Sequence, residues 1–194
     1  MSRSRRELRR DRARRSRTRS TLVWGGLGAA ALVIVGVLLW NAARPLAGVA
    51  VPVEGADHVE EGTDPSPYNS DPPTSGRHYA SELDAGFFDE DGVASLPPHP
   101  EGYLVHNLEH GYVIFWYNCG LLDQAACDEM KAEIQSVMDE FDGFKLIAFP
   151  WHSIDVPVVL TSWGQTQPME QFDARLARSF IRRNRNQAPE PNAP

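Results

Sequence analysis

Two histidines and a glutamate lie close together near the middle of the chain. His106 and His110 are four residues apart, and Glu109 lies between them. This spacing puts both imidazoles on one face of a helix and also on one face of a strand, so they point the same way in either structure. Neutral imidazoles bind zinc and copper, and the pair is therefore a candidate metal site.

The role of Glu109 depends on the secondary structure around it. In a helix it lies beside His106, whereas in a strand it points to the opposite face. The letters His-x-x-Glu-His match the inverted zinc-protease motif, which needs a helix. Gly111 and the apolar run 112–117 follow at once and predict a buried strand, so the motif alone is weak support for a protease.

A third histidine follows a stiff loop. Residues 72–76 are two prolines, whose φ angles are fixed, and a Thr-Ser-Gly turn. Such a loop brings the nearby His78 to a defined place. We therefore predict a Zn or Cu site formed by His78, His106 and His110. In this site Glu109 is a fourth ligand, a partner that orients an imidazole, or a general base.

Two alternatives to a metal-binding module stay open. A metal-dependent hydrolase would use Glu109 as its general base, and a metal-free envelope interaction module would use the histidines as a buried polar network. His58 and His99 are expected to be solvated, and His152 is a weaker candidate ligand. The sequence has no glycine-rich phosphate loop and no dinucleotide-binding fingerprint, so it gives no support to the nucleotide-binding classes that carry those motifs.

The N-terminal part of the chain predicts a membrane anchor. Ten arginines in residues 1–20 precede a run of 19 uncharged residues, 22–40. As a helix this run is about 28 Å long, close to the hydrocarbon thickness of a bilayer. Because positive segments stay in the cytoplasm, we expect a single-pass protein of the cell membrane. Its basic segment 1–20 is cytoplasmic, its transmembrane helix 21–43 contacts the lipid bilayer, and the remainder is extracytoplasmic.

The charge of the chain is strongly divided. Residues 1–44 hold eleven of the 19 basic and two of the 26 acidic residues, so residues 45–194 keep 8 and 24, a net charge of −16. A surface with this charge repels nucleic acid and attracts cations. We expect no nucleic-acid partner, and the sequence does not identify a protein partner in the envelope.

The two cysteines, Cys119 and Cys127, are predicted to form a disulfide. An even count on the oxidising side of a membrane permits this bond, with two buried free thiols as the alternative. Their spacing of eight residues does not match a Cys-x-x-Cys redox or zinc motif.

The outer part is predicted to be one α+β domain over residues 68–184, with a mostly antiparallel sheet and two packed helices. A linker, 44–67, precedes it, and a proline-rich tail, 185–194, follows. Residues 164–168 are expected to form a turn. Strands are predicted over 112–117, 144–149 and 156–163, and apolar residues at helical spacing predict helices over 121–141 and 170–184.

Several segments resemble an uncharacterised bacterial family of membrane-anchored proteins, known as domain of unknown function 3105. The most specific are Tyr-Asn-Ser-Asp-Pro-Pro-Thr-Ser-Gly-Arg-His-Tyr at 68–79 and Val-His-Asn-Leu-Glu-His-Gly at 105–111. Leu-Thr-Ser-Trp-Gly at 160–164 and Ala-Pro-Glu at 188–190 are weaker. The resemblance implies a shared fold and a shared histidine-rich site. It implies no reaction, because no activity is established for that family.

Overall fold

The structure is a computed structural model that describes residues 24–37, 40 and 45–193. The chain divides into two compact units after Pro45. In the first unit, residues 24–37 are helical and exposed. Among the described residues, no helix has both the length and the apolar character needed to cross a membrane. The basic segment 1–20 and the ends of the predicted anchor, 21–23 and 41–43, lie outside the described residues.

The second unit is built on one mixed sheet, which confirms the α+β class. In the described part of the chain the sheet has six strands in the order β1-β6-β5-β3-β4-β2. The strands are β1 (Val49–Ala50), β2 (Gly86–Phe87), β3 (Val113–Tyr117), β4 (Leu146–Pro150), β5 (Val158–Ser162) and β6 (Gln165–Met169).

The sheet is mixed rather than mostly antiparallel. The central strand β3 runs antiparallel to β5, with Phe115 opposite Leu160, and parallel to β4, with Phe115 opposite Ala148. Parallel neighbours need a long crossover between them, and a helix supplies it here. A turn was expected over 164–168, but residues 165–169 form the strand β6, which pairs with β5.

The helices are α1 (Glu90–Ala94), α2 (Glu101–Glu109), α3 (Gln124–Asp139) and α4 (Ala174–Asn184), with a 3₁₀ turn at Cys119–Leu121. Helix α3, the crossover between β3 and β4, begins where the Asp123 side chain accepts a hydrogen bond from the Ala126 amide. The Asp173 side chain caps α4 in the same way. Both helices lie within the helical stretches predicted from the sequence.

Side chains of β3 alternate between two apolar cores, as expected for a strand buried on both faces. Phe115 packs with residues of α3 and α4 on one face. Ile114 and Trp116 pack with Leu104 and Leu108 of α2 on the other. The sheet therefore has α3 and α4 on one side and α2 on the other, and α2 carries the His-x-x-Glu-His segment.

The segments assigned to a linker and a tail both pack on the domain. From Leu46 onward the chain belongs to the second unit, and Val49 pairs with Thr166 across β1 and β6. At the other end, the Glu190 amide donates to the Glu109 carbonyl at 3.0 Å. These contacts are backbone hydrogen bonds to distant segments, which leave no periodic pattern in the sequence.

The predicted disulfide is confirmed. Cys119 lies in the 3₁₀ turn after β3 and Cys127 in the first turns of α3, and the two are bonded with their Cα atoms 5.3 Å apart. This separation is within the usual range for a disulfide. The bond ties the end of the central strand to the start of the crossover helix.

Candidate metal centre

The His-x-x-Glu-His segment forms the last turn of α2, which settles the secondary structure that the sequence left open. His110 caps the helix, and Gly111 follows with a φ of 86°. A Cβ at Gly111 would lie 2.7 Å from the Cα of Asn186, so glycine is required both for its conformation and for the close approach of the tail.

Helix α2 points its apolar residues at the sheet and its histidines away from it. Residues in a helix are about 100° apart around the axis, so His106 lies about 200° from Leu104. Leu104 and Leu108 are fully buried against the sheet. His106 and His110, on the opposite face, are 5% and 6% exposed, because loops from other parts of the chain cover them.

One of these loops carries His78, which is completely buried. Its amide donates to the Asp57 carbonyl at 3.2 Å, and its carbonyl accepts from the Val59 amide at 2.7 Å. These two bonds form a parallel bridge between His58 and His78. As a result the two imidazoles lie side by side, with ring centroids 4.8 Å apart.

The His78 ring makes two polar contacts. Its Nδ1 lies 2.8 Å from the Gly76 carbonyl oxygen, and its Nε2 lies 3.0 Å from Oε2 of Glu109. A carbonyl oxygen only accepts hydrogen bonds, so Nδ1 carries a proton. The Nε2 of a neutral imidazole then offers a lone pair, and it faces a carboxylate oxygen that is also an acceptor. Either a proton or a metal ion is needed between these two atoms.

His106 completes the cluster from α2. Its ring centroid is 5.3 Å from those of both His58 and His78. The pKa of His106 is lowered to about 4, mainly by burial and to a smaller extent by repulsion from His110 and His78. The imidazole is therefore neutral at physiological pH, which is the state that binds metals.

His58, His78, His106 and Glu109 form the first candidate group, in which one ligand atom from each residue lies within 4.8 Å of the others. A tetrahedral ion with bonds of about 2.0–2.2 Å would hold its ligand atoms about 3.3–3.6 Å apart, so the widest pair would close by up to about 1.5 Å. Three imidazoles and a carboxylate suit zinc and also copper.

His110 belongs to a second group with Glu82 and His106. The His106 and His110 rings are 4.3 Å apart, as their four-residue spacing in a helix requires. The predicted set of His78, His106 and His110 is thus distributed over two adjacent groups that share His106. Glu109 lies with His78 in the first group, 4% exposed.

Sequence reasoning did not identify His58 or Glu82. His58 is half-exposed and flanked by acidic residues, so its expected solvation is partly correct, but its Nε2 lies 3.8 Å from Glu109 Oε2. Only the backbone bridge to His78 brings it there, and no spacing rule signals that bridge. His99 forms a third group with Asp64 and Glu101, which is more exposed. His152 joins none of the groups found among the described residues.

Comparison with known proteins identifies a family but no characterised relative. No curated protein and no solved structure gives a significant match to the chain. A family model described as "Protein of unknown function (DUF3105)" matches residues 58–194. The matched region includes every residue of the first two candidate groups. Because the match covers more than half of the sequence, the chain belongs to this family of proteins of unknown function.

Proposed function

We propose that the protein is a membrane-anchored, extracytoplasmic domain that binds a transition metal ion, Zn or Cu. The ligands are His58, His78, His106 and Glu109. The membrane part of this proposal rests on the arginine-rich segment and the uncharged run that follows it. The disulfide between Cys119 and Cys127 accords with an oxidising compartment.

The contact between His78 and Glu109 carries the metal proposal. Their facing acceptor atoms are 3.0 Å apart in a buried site, where two lone pairs without a cation between them repel strongly. The second ring nitrogen of His78 is already held by the Gly76 carbonyl. This carbonyl orients the ring, as the outer partners of metal-binding histidines commonly do.

A single proton between His78 and Glu109 would satisfy that pair but not the rest of the cluster. His58 directs its Nε2 at the same Glu109 oxygen from 3.8 Å. Within the described part of the chain, the buried Nδ1 of His106 has no hydrogen-bond partner. A metal ion can bind all four side chains at once, whereas one proton can bridge only two of them.

The site is accessible from one side. His78, His106 and Glu109 are buried, while His58 is half-exposed. The half-exposed His58 gives an ion a path from solvent to the buried ligands. The net charge of −16 over residues 45–194 also raises the local concentration of cations. These features favour reversible binding of a metal from the surroundings.

A hydrolase that uses Glu109 as its base is the second candidate, and its motif lies on a helix as that reaction class requires. Glu109 contacts His78 directly and is 4% exposed, which favours the role of a ligand. The Glu109→Gln variant separates the roles. A base would lose hydrolytic activity and keep its metal, whereas a ligand would lose metal affinity.

The proposal is tested by measuring metal content in the full-length chain. Purified protein is equilibrated with Zn(II) or Cu(II), freed of excess metal and analysed by mass spectrometry. The wild type should retain metal, and His78→Ala should retain less. His152→Ala is the matched control and should behave as the wild type. If the wild type retains no metal above a metal-free reference protein, the metal-free envelope module becomes the better account.

A further inference from the structure

The second group lies directly against the first. The Nε2 of His106 is 3.7 Å from Oε2 of Glu82, and the His110 ring is 4.3 Å from that of His106. Ligand atoms of these three residues all lie within 4.8 Å of one another. Among the described residues, the buried Nδ1 of His110 has no hydrogen-bond partner. The group thus combines a carboxylate with two buried imidazoles, each of which has a ring nitrogen without a hydrogen-bond partner among the described residues.

Helix α2 itself positions Glu82. The side chain of Asn107, next to His106, accepts a hydrogen bond from the Leu83 amide at 3.0 Å and donates one to the Leu83 carbonyl at 2.8 Å. Asn107 is completely buried, so these bonds are shielded from water. The backbone beside Glu82 is therefore attached to the helix that carries His106 and His110.

A further carboxylate comes from the C-terminal segment. Glu190 places its Oε2 3.7 Å from Nε2 of His110. Its amide donates to the Glu109 carbonyl at 3.0 Å, which anchors this segment to the end of α2. The Glu190 side chain is 60% exposed, so it is free to move toward an ion bound by His110.

We propose that Glu82, His106 and His110 bind a second divalent transition metal ion beside the first, with Glu190 able to join them. The inference rests on the first site proposed above. His106 is shared: an imidazole has two ring nitrogens, and it binds one ion through each after releasing its remaining ring proton to solvent. The first ion has mainly imidazole ligands, and the second has more carboxylate ligands and is more open to water.

The test is the number of ions bound per chain. Full-length protein is loaded with Zn(II), freed of excess metal, and analysed for metal and protein. We expect two ions in the wild type and one in Glu82→Gln or His110→Ala. His78→Ala should also keep one, and His106→Ala should lose both sites. The His99→Ala control, which alters the exposed third group, should keep two.

A spectroscopic measurement covers the case of a variant that folds poorly. With Cu(II) in place of zinc, two ions joined by one imidazole are magnetically coupled. The wild type should show this coupling by electron paramagnetic resonance, and the mild Glu82→Gln change should replace it with the signal of one isolated Cu(II).

The outcomes separate the two proposals. If the wild type binds one ion, and His110→Ala keeps it, the second site does not exist while the first stands. If the wild type binds one ion and both His78→Ala and His110→Ala lose it, a single ion uses both groups and the two-ion centre is wrong. If the wild type binds no ion, the proposed function fails and this inference fails with it.

Discussion

Lys145 places its Nζ 2.9 Å from the carbonyl oxygen of His110, at the end of the helix that carries the candidate metal ligands. The same ammonium donates to the carbonyls of Pro191 and Ala193 at 3.0 and 2.8 Å. Lys145 is 5% exposed, and burial lowers the pKa of its ammonium. It thus joins the negative end of α2 to the C-terminal segment that supplies Glu190.

The Lys145→Met variant should therefore be destabilised. It loses three hydrogen bonds from a charged donor, one of them to the buried His110 carbonyl, which we expect to cost about 2–4 kcal/mol of unfolding free energy. Urea unfolding measures the change. Lys131→Met is the control, because its pairing with Glu90 is more exposed and should contribute about 1 kcal/mol or less. Equal effects of the two variants would contradict the proposed role of Lys145.

His58→Ala should weaken metal binding although His58 is the most exposed member of the first group. Loss of one imidazole ligand should lower Zn(II) affinity by at least about tenfold, by analogy with the effect of perturbing metal-site partners. Isothermal titration of the full-length protein measures the affinity. His99→Ala, another partly exposed histidine beside acidic residues, should leave it unchanged. An unchanged affinity in His58→Ala would show that His58 is only a neighbour of the site.

The metal-free protein should become less stable in mild acid because of His106. The pKa of His106 is about 4 in the folded chain and about 6.5 when unfolded. Between these values the unfolded state binds a proton that the folded state does not. The free energy of unfolding therefore keeps its full value above about pH 6.5. It falls as the pH drops toward 4, by up to about 3 kcal/mol.

Urea unfolding in the presence of a chelator, repeated across this pH range, measures the effect. His106→Gln should flatten the dependence, whereas His152→Gln should not. If His106→Gln and the wild type lose stability in parallel, another group is responsible for the acid sensitivity.

Removing the disulfide should destabilise the domain without changing its fold. Replacing both Cys119 and Cys127 by serine releases a short closed loop, which in the chain-entropy model is worth about 2–3 kcal/mol. Thermal unfolding should show a lower midpoint for this variant under oxidising conditions, and addition of reductant should bring the wild type to the same value. A wild type that is insensitive to reductant would contradict this account.

The proposed topology predicts that the C-terminus lies outside the cytoplasm. A reporter that is active only in the cytoplasm, fused after Pro194, should be silent. The same reporter placed before the uncharged run 22–40 should be active and serves as the control. An active C-terminal fusion would reverse the orientation and remove the compartment argument for the disulfide.

Local patterns in the sequence were sufficient for the main elements of the domain. Apolar periodicity located α3 and α4, because each buries one face of a helix, and an unbroken apolar run located β3, which is buried on both faces. The four-residue spacing of His106 and His110 brought their rings together for the same reason. The disulfide also followed from the even cysteine count and the expected oxidising compartment.

Only the tertiary structure decided the composition of the site. His58 reaches His78 through a backbone bridge, Glu82 is held in place by Asn107, and Glu190 arrives with the C-terminal segment. All three come from irregular segments whose own backbone is hydrogen-bonded to distant parts of the chain. Such hydrogen bonds need no particular side chain at regular intervals, so they produce no repeating pattern in the sequence. From the sequence alone, the three segments therefore resemble a linker, a surface loop and a tail.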